Sequence, residues 1–232
     1  MRLPPLKRRK KVKLIGTGHI FDIREKVRKL IEEERPQAVC VELDEERYRD
    51  LLRRTFPADP LALLQALLAA LHGTVPGNDM LGAVEGARSL NIPVFLIDRP
   101  IGETKERLIR AFACEFLNPL EVLRKLLVFP LCLISQFEMS ESPSSQDPLE
   151  DMVREFERDP ERYRRALGLL FPAFKRALLD EREDYMAFKI KKILEEYDRI
   201  AAVVGAGHIP GLRKRLSGIR LEIATLSEIL DA

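Results

Sequence analysis

At 232 residues, with 46% hydrophobic and 33% charged side chains, the chain is long enough for one sizeable core and too apolar to stay unfolded. Its 39 basic and 37 acidic residues nearly cancel to +2, so bulk charge gives no reason to expect a nucleic-acid partner. The three cysteines, Cys40, Cys114 and Cys132, form no Cys-x-x-Cys pair, which argues against a disulfide framework and for a reducing, cytoplasmic setting.

The basic start (Lys7 to Lys11) is not followed by an apolar stretch of signal-peptide length. The longest apolar runs, Leu61–Leu71 and Leu126–Ile134, fall short of the ~20 residues that span a bilayer. No membrane span is expected. Abundant Glu, Arg and Lys beside few Asn and Gln fits a heat-adapted source.

In chain order, Val12–Gly16 reads as a strand running into Gly-Thr-Gly. Asp22 is placed to cap a helix whose Ile23, Val27, Leu30 and Ile31 share one face. Pro36 ends that helix, and Ala38–Leu43 reads as a buried strand. Asp44 then caps a helix containing Tyr48, Leu51 and Leu52. Two more helical stretches lead to a third strand, Pro93–Ile97, which ends in Asp98-Arg99-Pro100.

Helices are expected from Gly102 to about Glu138, a mobile loop at about 139–147, and helices again to Tyr197 with breaks near Pro160 and Pro172. Arg199–Val204 and Ile219–Thr225 read as the closing strands, with a short helix around Gly211–Leu216. The expected fold is α/β: a mostly parallel or mixed sheet of about five strands flanked by helices. A single domain is expected, with residues 1–100 and 198–232 as its core and 101–197 as a helical insertion.

Gly-x-x-His occurs twice, as Gly16-Thr-Gly18-His19 and Gly205-Ala-Gly207-His208, each time after an apolar strand. Ligands gather at the carboxyl ends of parallel strands, and imidazole is the commonest metal ligand. Glycines at such ends let the backbone turn sharply and approach a ligand closely. Either histidine could instead cap a helix or satisfy a carbonyl, but helix capping does not call for histidine.

Glu42 ends the apolar run Val39-Cys-Val-Glu-Leu43, where a carboxylate is costly unless paired or metal-bound. Strand alternation puts it on the face of Cys40. Asp98 and Arg99 repeat the polar strand end at the third strand. Arg182 lies at the edge of a helical stripe through Met186, Ile190 and Leu194, where a guanidinium wants a buried carboxylate or a bound anion. His72, at the end of an Ala/Leu-rich helix, is explained by the helix dipole. No Walker loop, His-Glu-x-x-His or Gly-x-Ser-x-Gly occurs, and the glycine spacing around Gly205 does not fit dinucleotide binding.

Together, Leu14-Ile-Gly-Thr-Gly-His19, Val41-Glu-Leu-Asp-Glu-Glu-Arg47, Leu96-Ile-Asp-Arg99 with Thr104 and Arg107, Glu181-Arg182 with Met186, and Val203-Val-Gly-Ala-Gly-His-Ile-Pro-Gly211 resemble the TraB/PrgY pheromone-shutdown family. That family is related to the Tiki metalloproteases and more distantly to the erythromycin-esterase/ChaN-like group. The resemblance implies a site built from both Gly-x-x-His motifs and the strand glutamate.

Carried over, it makes His19, His208 and Glu42 candidate ligands of a divalent ion such as zinc, manganese or cobalt, with Glu42 alternatively a general base. Arg99 or Arg182 would stabilise an oxyanion, with Gly16, Gly18, Asp98, Glu181, Gly205 and Gly207 in support. The implied activity is metal-dependent hydrolysis, of a peptide if the Tiki analogy holds. The alternatives are a module that sequesters a peptide or small ligand without turnover, and an assembly domain that forms a homodimer through Gly102–Tyr197. Relatives from archaea often continue into C-terminal membrane helices.

Overall fold

The protein is described from a computed structural model, which covers residues 10–18, 21–53, 77–137, 151, 154, 155 and 157–231. His19, His72, the apolar run Leu61–Leu71 and the expected loop at 139–147 lie outside the described residues.

Among the described residues five strands form one parallel sheet: β1 (Lys11–Thr17), β2 (Ala38–Val41), β3 (Val94–Leu96), β4 (Arg199–Gly205) and β5 (Arg220–Ala224), in the order β3-β2-β4-β1-β5. The α/β expectation holds, and the sheet is wholly parallel rather than mixed. Every strand therefore ends on the same rim. β4 enters between β1 and β2, so the end of the late strand lies beside the ends of both early ones.

Alternation along each strand feeds two cores. On one face, Ile15, Val39, Val41, Ala201 and Val203 pack with α1 (Arg24–Glu34) and α3 (Asn78–Ser89). On the other, Leu14, Cys40, Ala202 and Val204 meet Met186, Ala187 and Ile190 of α8 (Glu181–Ile193) and Leu212 of α9 (Ile209–Arg215). The result is a three-layer sandwich whose second helical layer comes partly from the stretch between β3 and β4.

The start of α1 differs from expectation. Ile23 holds the N-cap position without a side-chain cap, and Asp22 caps nothing there. Burial of Ile23, Val27 and Ile31 fixes this helix instead. It closes at Arg35, whose φ is 45° and whose N–H donates to Ile31 O, just before Pro36. Asp44 caps α2 (Glu45–Arg53) as expected, with Oδ1 accepting the Arg47 N–H at 2.8 Å.

Between β3 and β4 run α4 (Ile101–Phe112), a π turn at Ala113–Leu117 and α5 (Pro119–Phe137). They are followed by α6 (Pro160–Leu170), α7 (Pro172–Lys175), a π turn at Arg176–Asp180, and α8. Pro160 and Pro172 mark helix starts, where a missing N–H costs nothing. A final helix, α10 (Leu226–Asp231), follows β5. Among the described residues no helix is long and apolar enough to cross a membrane.

Candidate active site at the carboxyl rim

β2 and β4 are hydrogen-bonded neighbours, with Val41 opposite Val203 and the Glu42 N–H donating to Val203 O at 3.1 Å. Glu42 is thus the first residue past its strand, and β4 delivers His208 through a 3-10 turn at Ala206–His208. Both side chains are almost wholly buried. Glu42 Oε1 lies 3.3 Å from His208 Nε2, and Glu42 Oε2 accepts the Gly205 N–H at 2.6 Å.

On the other side of β4, β1 pairs Gly16 with Val204 and Thr17 with Gly205, so the two Gly-x-x-His motifs begin one residue apart in register. His19 itself lies outside the described residues.

Arg182 reaches the rim from α8. Its Nη2 donates to Glu42 Oε1 at 2.5 Å and to Asp98 Oδ2 at 2.6 Å, and its Nε donates to Asp98 Oδ1 at 3.0 Å. Arg47 Nη1 adds a bond to Asp98 Oδ2 at 2.9 Å. The guanidinium at the edge of the apolar stripe has thus found two buried carboxylates, on the face that Glu42 shares with Cys40.

Arg99 is buried one step back from the rim. Its Nη1 donates to Glu181 Oε2 at 2.9 Å, its Nη2 to Ala177 O at 3.1 Å and its Nε to Thr104 Oγ1 at 3.3 Å. Glu181 also pairs with Arg107 and Arg176. Of the two candidate arginines, Arg182 is the one that touches Glu42.

Burial alone would lower the His208 pKa, but the carboxylates of Glu42 and Glu183 outweigh it and lift the value to about 9. Burial would likewise depress Arg182, yet Glu42 and Asp98 raise it further into the cationic range. The Cys40 thiol is pushed up to about 12 by burial, so it is inert.

The sequence model of the TraB/PrgY/gumN family matches residues 6–219. This chain belongs to the TraB/PrgY/gumN family. An uncharacterized protein of Methanocaldococcus jannaschii is 30% identical over 222 residues, covering 88% of this chain and 52% of that protein. The chain therefore spans about half the length of that curated relative. Among solved structures, a mutant erythromycin esterase in its open conformation aligns with 97% of this chain and 67% of its own, at 14% identity and a TM-score of 0.34.

In this TraB/PrgY/gumN member the motif glycines hold ordinary backbone angles. Gly16, Gly18, Gly205 and Gly207 all avoid positive φ. Space matters at Gly18, where a Cβ would come within 2.8 Å of Leu226, and Gly205 serves Glu42 through its N–H.

Three neighbours of His208 carried no motif signal of their own. Glu183 Oε1 faces His208 Nδ1 at 3.4 Å, and Arg164 and Arg215 hold the Glu183 carboxylate. Only Gly211 hinted at them, since a glycine next to Pro210 in a helix's first turn marks a close approach.

Proposed function

We propose that this chain is a metal-dependent hydrolase acting on carbonyl compounds, with peptides as the favoured substrate class. The observation that carries this reading is the buried, facing pair Glu42 Oε1 and His208 Nε2, 3.3 Å apart. Two neighbouring ligands of one tetrahedral ion, each bonded at about 2.0–2.1 Å, stand roughly that far apart. The donor set of one imidazole and one carboxylate, with His19 following the adjacent strand, fits zinc, manganese or cobalt. Membership in the TraB/PrgY/gumN family supports this reading.

Bound at this site, such an ion would supply a Lewis acid and a water acidic enough to attack near neutral pH. His208 and His19 would hold it, and Glu42 would act as third ligand or as acceptor of the attacking water's proton. Arg182 stands beside Glu42, anchored on Asp98, where its charge would favour a developing oxyanion. Arg99 keeps Glu181 and the preceding turn of α8 in place.

The test is elemental analysis of protein purified without a histidine tag, alongside His19→Ala, His208→Ala and Glu42→Ala, followed by mass spectrometry of a peptide library incubated with each. A divalent ion near one per chain, lost together with peptide cleavage in all three variants, is the expected result. Unchanged peptides with retained affinity would favour a sequestering module.

A second reading is self-association. Among residues 109–129, ten large apolar side chains are more than a third exposed, including Leu117, Leu120, Leu123 and Leu127. So many exposed apolar side chains within two neighbouring helices are unusual for a monomer and are what an interface would cover. A second copy of this chain is the proposed occupant.

A further inference from the structure

We infer that Arg47 binds a carboxylate of the substrate at the rim, within about two residues of the scissile carbonyl. The inference rests on the hydrolase reading, which puts the reacting carbonyl beside Glu42 and His208. It adds the chemistry by which that site would choose among peptides.

Asp44 places Arg47. Its Oδ1 accepts the Arg47 N–H at 2.8 Å and its Oδ2 accepts the Ile101 N–H, so one carboxylate seats the first turn of α2 against the start of α4. A side chain in the first turn of a helix leans back toward the N-terminus, here toward the strand ends. The guanidinium accordingly meets Asp98 just past β3, with Nη1 donating to Oδ2 at 2.9 Å.

Asp98 does not depend on that bond. Its Oδ1 accepts Arg182 Nε at 3.0 Å and the Arg99 N–H at 2.8 Å, and its Oδ2 accepts Arg182 Nη2 at 2.6 Å. Arg182 alone therefore grips it with two parallel bonds. Glu45 and Glu46 precede Arg47 on α2, but both are exposed, and adjacent helical residues do not face each other.

Among the described residues, the bond to Asp98 is the only one the Arg47 guanidinium makes. Nε and Nη2, the paired donors along one edge of the planar fork, are left over. The side chain is 28% exposed, against 13% for Arg182, so that edge can be reached from solvent.

The distance to the reacting centre fits one chemical class. Glu42 Oε1, Arg182 Nη2, Asp98 Oδ2 and Arg47 Nη1 follow one another at 2.5, 2.6 and 2.9 Å. The whole span is thus at most about 8 Å, roughly two residues of extended chain. A peptide with its carbonyl at Glu42 would bring its C-terminal carboxylate, or the side chain of an adjacent Asp or Glu, onto the open edge. Guanidinium and carboxylate are both planar, and a two-bond pair between them is what this edge is free to make.

Three probes test this by calorimetry on the protein as purified and again in chelator. They are acetyl-trialanine with a free C-terminus, the same peptide amidated, and amidated acetyl-Ala-Glu-Ala. Wild type should bind a carboxylate-bearing probe about tenfold or more tightly than the neutral amide. Preference for the free acid assigns a C-terminal carboxylate, and preference for the glutamyl amide assigns an acidic side chain. Arg47→Gln, which can still donate to Asp98, should bring that ratio close to one and leave the neutral amide unaffected. A merely structural role would weaken all three probes alike. If Arg47→Gln does not fold, Arg47→Lys keeps the ion pair without the fork and should still lose most of the ratio. Equal affinities in wild type, no binding of any probe at millimolar concentration, or a preference that survives in a folded variant overturns the inference. Binding in chelator needs neither ion nor turnover. A carboxylate preference without peptide cleavage would therefore count against hydrolysis alone, and cleavage without that preference would count against Arg47 alone.

Discussion

Glu42 Oε2 accepts the Gly205 N–H at 2.6 Å, so a side chain past the end of β2 ties down the backbone that leads to His208. The same carboxylate neutralises Arg182 and His208. Glu42→Gln should therefore strand buried positive charge and cost about 2–4 kcal/mol, measured by urea unfolding of the metal-free protein. A change within about 0.5 kcal/mol would show that Asp98 and Glu183 suffice to balance the site.

The His208 pKa is raised from 6.5 to about 9 in the fold, so its imidazolium stabilises the metal-free protein. For a raised pKa the contribution is complete below the unfolded value, near 6.5, and is lost as pH climbs through about 9. Melting curves of wild type and His208→Gln in chelator should be furthest apart at pH 6 and converge above pH 9, the full span corresponding to up to about 3 kcal/mol. A constant gap across that range contradicts the charged ring.

Three glycines separate space from conformation. A Cβ on Gly82 would lie 2.2 Å from Arg24 O, where α3 presses on α1, and one on Gly211 would collide with Glu183. Gly207 has nothing within 4 Å. Gly82→Ala and Gly211→Ala should each lose about 2 kcal/mol or more, whereas Gly207→Ala should be nearly neutral. Thermal melting ranks the three, and a tolerated Gly211→Ala would mean the carboxylate has somewhere else to go.

Self-association should depend on the apolar helices and not on the site. Sedimentation of wild type over a range of concentrations should show a dimer that Leu123→Glu combined with Leu127→Glu dissociates and His208→Ala leaves intact. A monomer at all concentrations removes that reading.

The sequence carried the sheet well, because buried parallel strands read as short apolar runs and each here ends in, or gives way within two residues to, glycine or a polar residue. Glu42 and Arg182 were legible for the same reason: a charge among apolar neighbours must find a partner. The Asp22 cap failed because burial of Ile23 sets the start of α1. Arg164 and Arg215 were invisible, since surface-like arginines in charged helices look alike until a fold brings them to Glu183. The order β3-β2-β4-β1-β5 was also beyond reach, as adjacency of β4 to both β1 and β2 leaves no local mark.

That order has a consequence for how the protein comes into being. Among the described residues β1 pairs only with strands that begin at residues 199 and 220, so it has no strand partner until those later segments have been made. Closing so long a stretch is entropically costly and slow, which exposes Val12, Leu14 and Ile15 to chaperones or to misassembly on the ribosome. The rim that brings His208 to Glu42 can exist only once that closure is made, so a nascent chain lacking β4 would lack the site altogether.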